Sequence, residues 1–170
     1  MKNILSFFIA LYVGTMAFGQ SINIDTKKAT VSFNYVSEKT KGTLSGVEAQ
    51  INIDPSNLAS STISGSVDVS TLSTKNKTRD QHLQSNEFFD AKKYPKMKFV
   101  ATDIIKEVDF YKASGKLTIK DVTKTVKFKV VESDGVLIFK AVIYSSDFGI
   151  SLKSDRAESK IYLSVKIPLN

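Results

Sequence analysis

The strongest constraint on the fold is an alternation of apolar and polar residues that recurs from Ser21 to the end of the chain. It is clearest in the last segment, whose apolar face consists of Ile161, Leu163, Val165 and Ile167. A period of two is that of a β-strand, because successive side chains of a strand point to opposite faces of the sheet. Strands that follow one another without intervening helices pair antiparallel. The chain is therefore predicted to be all-β, with one buried face per strand.

The pattern contains about eight such strands, most of them joined by short turns. Asp134-Gly135 lies between two apolar runs and indicates a type I′ hairpin turn, because both residues tolerate a positive φ. A sheet closed into a barrel fits these strands, as does a sandwich with one shared core. The segment 136–144 is apolar on both faces, so its outer face is expected to pack under a loop, a lid or a second subunit.

Residues 71–95 interrupt the alternation. Helix-forming polar residues predict a short helix over 76–84, with Asn76 or Thr78 as its N-cap. A second helical turn is expected at residues 87–90. An insert of this kind between strands is suited to act as a lid over the opening of a barrel.

The N-terminus has the pattern of a secretory signal peptide. Lys2 precedes an apolar stretch over residues 4–13, and Ala17 and Gly19 provide the small residues of a cleavage site. An uncleaved membrane anchor is the alternative, but the dense apolar stretch is shorter than the roughly 18–20 residues that a spanning helix needs. We expect residues 1–19 to be removed, residues 20–170 to form one domain, and the protein to be periplasmic or secreted.

Composition excludes several kinds of chemistry. The chain has no Cys and a single His, which excludes disulfides, thiol nucleophiles and zinc–thiolate sites, and no metal or other cofactor is predicted. The formal net charge of +7 is compatible with a nucleic acid, a membrane surface or an anionic ligand as partner. Export argues against nucleic acid, whereas peripheral membrane contact stays open. The lysines alternate along the strands without forming a block, which indicates a solvated outer surface.

A string of residues in the insert carries a family resemblance. It reads Thr78-Arg79-Asp80-x-His82-Leu83-x-Ser85-x-x-Phe88-Phe89-Asp90 and is followed by Tyr94-Pro95, Phe99, Gly115-x-Leu117-Thr118-Ile119, Val122-Thr123 and Asp147-Phe148-Gly149. From about residue 22 to the end, the chain resembles the YceI-like family, although Glu87 and Asp121 stand where that family often has Asp and Gly. The resemblance implies a lipocalin-like, eight-stranded antiparallel barrel with a short helical insert. It also implies an elongated interior that binds a polyisoprenoid or related lipid, usually in an exported protein.

The barrel interior is the candidate binding site. A barrel of about eight strands either fills with side chains or holds one small ligand. Small inward residues would leave a narrow apolar tunnel, unless they only complement larger neighbours as in any packed core. Together with the resemblance, the inward phase predicts a ligand-binding tunnel formed by Phe33, Tyr35, Ala49, Ile51, Val67, Phe99, Ala101, Phe128, Phe139, Ala141, Leu163 and Val165.

The insert supplies candidates for the mouth of the tunnel. Arg79 and His82 are suited to bind an anionic or polar head group. A structural role is the alternative, in which Arg79 and Asp80 pair with strand-end groups and His82 docks the helix. The apolar residues of the insert are expected to anchor it to the barrel as a lid, and they are Leu83, Phe88 and Phe89.

Catalysis is disfavoured. A Ser-His-Asp site from Asp80, His82 and Ser85 conflicts with helix geometry, because residues two apart point to different sides. The sequence also lacks a nucleophile elbow, a phosphate loop and a dinucleotide-binding glycine pattern. The predicted function is therefore carriage or storage of a polyisoprenoid or similar lipid by an exported protein. The alternatives are a non-catalytic interaction or homodimerisation barrel that uses residues 136–144, and a carrier of another amphiphile such as a fatty acid amide.

Overall fold

A computed structural model describes residues 22–150 and 155–170, so the predicted signal peptide over residues 1–19 lies outside the described residues. The described strands form one nine-stranded antiparallel sheet. They are β1 (Thr30–Tyr35), β2 (Thr40–Leu44), β3 (Glu48–Asn52), β4 (Thr62–Asp68), β5 (Lys96–Lys106), β6 (Tyr111–Ile119), β7 (Val122–Ser133), β8 (Val136–Tyr144) and β9 (Lys160–Pro168). The predicted all-β fold class is confirmed, with nine strands in place of about eight.

Helices are short in the described part of the chain. The α-helix found there is α1 (Lys77–Gln84), inside the insert, as predicted. Short 3-10 helices occupy Thr26–Lys28, Leu58–Ser60, Val69–Thr71, Ser145–Phe148 and Arg156–Ser159. None of the helices in the described ranges is long and apolar enough to cross a bilayer.

The sheet curls into a half-barrel. Its strand order is β2-β1-β9-β8-β7-β6-β5-β4-β3, so the two edge strands are the consecutive β2 and β3. Residues 45–47 alone join them, and this short connection holds the two edges near each other. In the described residues β2 and β3 do not pair. Instead Ser73 of the insert exchanges two backbone hydrogen bonds of 2.9 Å with Thr43, which covers the edge of β2.

Strand β2 is the strand that the sequence did not predict. Of its inward positions, Thr40, Gly42 and Leu44, only the last carries a large apolar side chain, so the alternation is lost. The strand is specified by its register with β1, in which Leu44 faces Val31. At Gly42 an added Cβ would overlap the ring of Phe33, so glycine is needed for that ring to lie across β2.

The core lies on the concave side of the sheet. The rings of Phe99 and Phe128 meet edge-to-face with centroids 4.8 Å apart, and Phe128 meets Phe139 in the same way at 6.4 Å. The predicted Asp134-Gly135 turn joins β7 and β8 with φ values of 52° and 71°, as a type I′ hairpin requires. These long strands form the sheet side of the candidate site.

Candidate functional site

The concave side of the sheet and the insert enclose a cavity of about 700 Å³. Small-molecule sites have volumes of roughly 300–1,000 Å³, so the space is large enough for a ligand. Most of its wall is apolar, and small residues widen it where Ala49 on β3 faces Gly65 on β4. The interior is therefore hollow and not filled by complementary side chains.

Most of the residues predicted to form the tunnel line this cavity. Ala101 and Ala141 do not, and for these two the prediction of a place in the lining is wrong. Ala101 adjoins a β-bulge and faces Gly115, over which the Phe99 ring lies. Ala141 is buried on β8 between longer side chains that reach the cavity in its place. The ten that do line the cavity are Phe33, Tyr35, Ala49, Ile51, Val67, Phe99, Phe128, Phe139, Leu163 and Val165.

Further lining residues were missed by the prediction. Two of them, Leu117 and Ile119, occupy the inward phase of a predicted strand, so the alternation already contained their signal. Phe148 belongs to the Asp147-Phe148-Gly149 match, which named no role for it. Leu44 and Leu72 lie in segments without clear alternation, and no sequence signal identified them.

Hydrogen bonds that converge on Thr74, which is 6% exposed, fold the insert onto itself next to β2. The Asp80 carboxylate accepts hydrogen bonds from the Thr74 N–H (2.7 Å) and hydroxyl (2.5 Å). The Arg79 guanidinium donates to the Thr74 hydroxyl (2.7 Å) and carbonyl (3.2 Å), and to the Thr40 hydroxyl on β2 (3.4 Å). Asn76 is the N-cap of α1, and it accepts from the Arg79 N–H at 3.1 Å. Arg79 and Asp80 thus hold α1 against Thr74, and the Arg79–Thr40 contact connects the helix to β2.

His82 lies at the outer side of the insert. Its Nε2 is 2.7 Å from a Glu87 carboxylate oxygen, and its ring packs edge-on against Phe88 at 4.8 Å. Both side chains of this hydrogen-bonded pair are more than half exposed, so the pair adds little to stability. The Ser85 hydroxyl donates to the His82 carbonyl at 2.7 Å. Asp80, His82 and Ser85 therefore have separate partners and do not assemble into a triad.

The predicted lid residues reach the cavity. Leu83, Phe88 and Phe89 all line it, and Phe88 is buried. The segment after α1 is a hydrogen-bonded turn and not a second helical turn, because Asp90 has a φ of 48°. The Phe89 N–H donates to the Leu83 carbonyl at 3.0 Å, which folds the turn back on the helix. The insert thus covers the cavity with apolar side chains.

Polar residues form a rim where the insert meets the β1–β2 hairpin. Several of them are exposed, so the cavity opens to solvent at this end, and the rim consists of Glu38, Thr40, Asn76, Thr78, Arg79 and His82. Tyr35 faces Thr40 across the hairpin, and its hydroxyl oxygen is buried without a hydrogen-bond partner among the described residues. The site therefore combines a mostly apolar wall with a cluster of polar groups at the insert, and the further polar lining residues are Ser64, Ser66, Lys98 and Ser145.

A charged pair supports the loop after β8. Arg156 donates two hydrogen bonds of 2.7 Å to the Asp147 carboxylate and lies 3.7 Å from the centre of the Tyr144 ring. The side-chain hydrogen bonds from Arg156 hold the pKa of Asp147 below its ordinary value. Phe148 then enters the cavity wall, and Gly149 adopts a φ of 68° that ends the turn. Within the described ranges, no group of three or more His, Asp or Glu residues is placed to hold a metal ion.

Comparison with known proteins gives relatives from several bacteria. A UPF0312 protein of Photorhabdus laumondii is 34% identical over 85 residues, which cover 50% of this chain and 44% of that protein. A UPF0312 protein of Vibrio cholerae is 31% identical over 102 residues, or 57% of this chain and 51% of that protein. The YceI protein of Salmonella newport is 27% identical over 132 residues, or 74% and 69%. The chain spans about half the length of the first two of these curated relatives.

Solved structures share the fold. The crystal structure of Burkholderia cenocepacia BcnA matches with a TM-score of 0.72 and 26% identity, covering 85% of this chain and 98% of that one. A polyisoprenoid binding domain from Saccharophagus degradans, implicated in plant cell wall breakdown, matches with a TM-score of 0.57, covering 88% and 97%. At 10% sequence identity, this match shows a common fold alone. The YceI-like domain family matches residues 22–170. With this match, and with the insert and cavity that the motif residues build, the chain belongs to the YceI-like family.

Proposed function

We propose that this chain binds a polyisoprenoid or a similar amphiphilic lipid in the cavity. The observation that carries the proposal is the apolar space of about 700 Å³ with its polar rim at the insert. A prenyl tail along the wall would gain about 25 cal/mol for each Å² of apolar surface buried, less the free energy of ordering the chain. The Saccharophagus degradans domain of the same fold is described as polyisoprenoid binding, which supports this ligand class.

The proposed role is non-catalytic carriage or storage after export to the periplasm or beyond. The signal-peptide pattern of residues 1–19 supports export. The separate hydrogen-bond partners of Asp80, His82 and Ser85 support a binding role over an enzymatic one.

The polar end of the ligand is assigned to the rim. Arg79 brings a positive charge there, and its 3.4 Å contact with Thr40 is the longest of its three side-chain bonds. The nitrogen in that contact is therefore the one best placed to turn toward an anionic head group. His82 lies on the same rim, and the buried Tyr35 hydroxyl offers a hydrogen bond further in.

A matched pair of substitutions tests the cavity. Ala49→Phe places a ring inside the space, so we expect the affinity for a polyprenyl alcohol to fall about tenfold or more, which corresponds to about 1.4 kcal/mol. Ala101→Phe adds the same ring outside the lining and should leave the affinity within about twofold. Binding is measured by titration, and folding is checked by circular dichroism.

Native mass spectrometry of the protein from its own host identifies the ligand class. A bound prenyl lipid supports the proposal, whereas a bound fatty acid amide would identify the other amphiphile. Exposed Val142 and Tyr162, which face each other on β8 and β9, favour an interaction surface as the second candidate function. A ligand-free stable dimer, together with equal affinities of the two Phe variants, would overturn lipid binding in favour of that candidate.

A further inference from the structure

The outward positions of β6–β9 form one basic surface, here named the lysine face. The four strands are neighbours in the sheet. Within these described strands, no outward position carries Asp or Glu. Along each strand the lysines alternate with neutral residues. The register between strands brings lysines of neighbouring strands side by side, so they form a cluster that the sequence pattern alone did not indicate. The lysines of the face are Lys112, Lys116, Lys127, Lys129, Lys140, Lys160 and Lys166.

The centre of the lysine face is a row of directly opposed like charges. Lys112, Lys129 and Lys140 face one another across β6, β7 and β8. Like charges in directly opposed positions destabilise a sheet. In the described part of the chain, one lysine of this face forms an ion pair: Lys112 lies 3.1 Å from Glu107. The Lys129 ammonium lies 4.3 Å from the centre of the Phe110 ring. Folding alone does not account for such a row.

The other half of the outer surface shows the ordinary arrangement. On β5, Lys96 lies 2.6 Å from Glu48 of β3 and 3.9 Å from Asp68 of β4. The hydrogen bond from Lys96 holds the pKa of Glu48 below its ordinary value. This part of the sheet interleaves opposite charges, so the excess of lysine is specific to β6–β9.

Exposed apolar side chains accompany the lysines. Val142 and Tyr162 face each other next to Lys140 and are 46% and 49% exposed. A tyrosine ring suits the boundary between water and hydrocarbon, and lysines are attracted to anionic head groups. We propose that the lysine face docks the protein on an anionic phospholipid surface, with the lysines at the phosphates and Val142 and Tyr162 in the interfacial layer.

A second copy of the chain fits this face poorly. A twofold contact uses the same patch on both subunits, and it would bring the row of Lys112, Lys129 and Lys140 close to its own copy. Repulsion between the rows opposes that contact, whereas an anionic surface neutralises both the row and its neighbours. Charge complementarity therefore favours an anionic surface over a second copy of the chain, and the exposed Val142 and Tyr162 favour a lipid surface.

The docking surface is separate from the cavity. On the same strands the inward residues Phe128, Phe139 and Leu163 line the cavity, while the lysines point to the opposite side. Removing lysine charges should leave ligand binding inside unchanged. The docking proposal therefore holds or fails independently of the proposed function.

Vesicle binding tests the lysine face. Co-sedimentation is measured with vesicles of phosphatidylcholine alone and with about 30% phosphatidylglycerol. The variant K127Q/K129Q/K140Q should bind the anionic vesicles about 100-fold more weakly, because each lysine near such a surface adds roughly fivefold. The matched control K27Q/K41Q/K106Q removes the same charge from exposed lysines elsewhere and should stay within about threefold. High salt should abolish binding of the unmodified protein.

Each other outcome overturns the proposal. Equal losses in the two triple variants would show a response to net charge alone. Equal binding to neutral and anionic vesicles would show that the lysines do not drive binding. Binding to duplex DNA but not to vesicles would identify a different partner. The triple variant should unfold at a temperature no lower than the unmodified protein, since it relieves repulsion. If it fails to fold, K129Q is used instead, with an expected fivefold loss against no loss for K106Q.

Discussion

The sheet wall of the cavity and helix α1 of the insert are held by different forces. The wall is stabilised by apolar burial, with Phe128 and Phe139 packed edge-to-face in the core. Helix α1 has no buried residue, and its eight residues are too few for a stable helix in isolation. It depends on the bonds of Arg79 and Asp80 to Thr74.

Because of this difference, the wall and α1 are expected to open at different free energies. Hydrophobic burial is spread over many contacts in the wall, so opening the wall requires loss of much of the core. Leu72 and Phe88 anchor the ends of the insert in the core, whereas α1 between them is held by a few directional hydrogen bonds. Segments of that kind open locally at a lower free energy than global unfolding. Helix α1 is therefore expected to open locally while the wall stays folded.

The largest expected effect is a loss of stability in the wall. Phe128→Ala removes a buried ring that contacts Phe99 and Phe139, and should lower the free energy of unfolding by about 3–5 kcal/mol. Urea denaturation measures the change. The control is Phe89→Ala in the insert, where the ring is only half-buried, and about 1–2 kcal/mol is expected. Equal losses would mean that the insert is as much part of the core as the wall.

A smaller and local effect is expected in the insert. Asp80→Ala leaves the buried Thr74 N–H without its acceptor, at a cost of about 1–3 kcal/mol. Hydrogen exchange should accelerate in α1 and at Thr74 and stay unchanged in β6–β9. Asp80→Asn keeps an acceptor oxygen and should retain most of the protection. Acceleration spread evenly over the sheet would contradict a separate opening of the insert.

The two regions also differ in how well the sequence predicts them. The wall is predictable where alternation is unbroken and turns are two residues long, as around Asp134-Gly135. The N-cap of the insert was predictable because Asn76 precedes a polar helical segment. Both signals are local, and local signals survive in a single sequence.

Non-local pairing accounts for the strand and the surface row that were missed, and for the misplaced Ala101. Strand β2 exists because of its register with β1, and the bulge that removes Ala101 from the lining arises between β5 and β6 without a mark in the sequence. The lysine row has the same origin, since Lys129 meets Lys112 and Lys140 only through strand pairing. A pattern along one strand gives the face of a residue but not its neighbours.

The smallest expected effect on stability concerns a buried polar atom of the cavity lining, the Tyr35 hydroxyl. Because this oxygen is buried without a partner among the described residues, Tyr35→Phe should leave the free energy of unfolding unchanged or slightly higher. If the hydroxyl bonds the polar end of the ligand, the affinity for a polyprenyl alcohol should fall about tenfold. Tyr162→Phe, on the outer side of β9, is the matched control and should change neither quantity.

Comparing two ligands separates the contribution of the Tyr35 hydroxyl to the affinity from that of its ring. A hydrocarbon with the same prenyl chain has no group that can bond to the hydroxyl, so its affinity should be the same for the unmodified protein and for Tyr35→Phe. Titration of both ligands therefore isolates the contribution of this one hydrogen bond to the binding affinity. Equal losses for the alcohol and the hydrocarbon would instead assign Tyr35 to packing, and the polar end of the ligand would then lie entirely at the rim around Arg79 and His82.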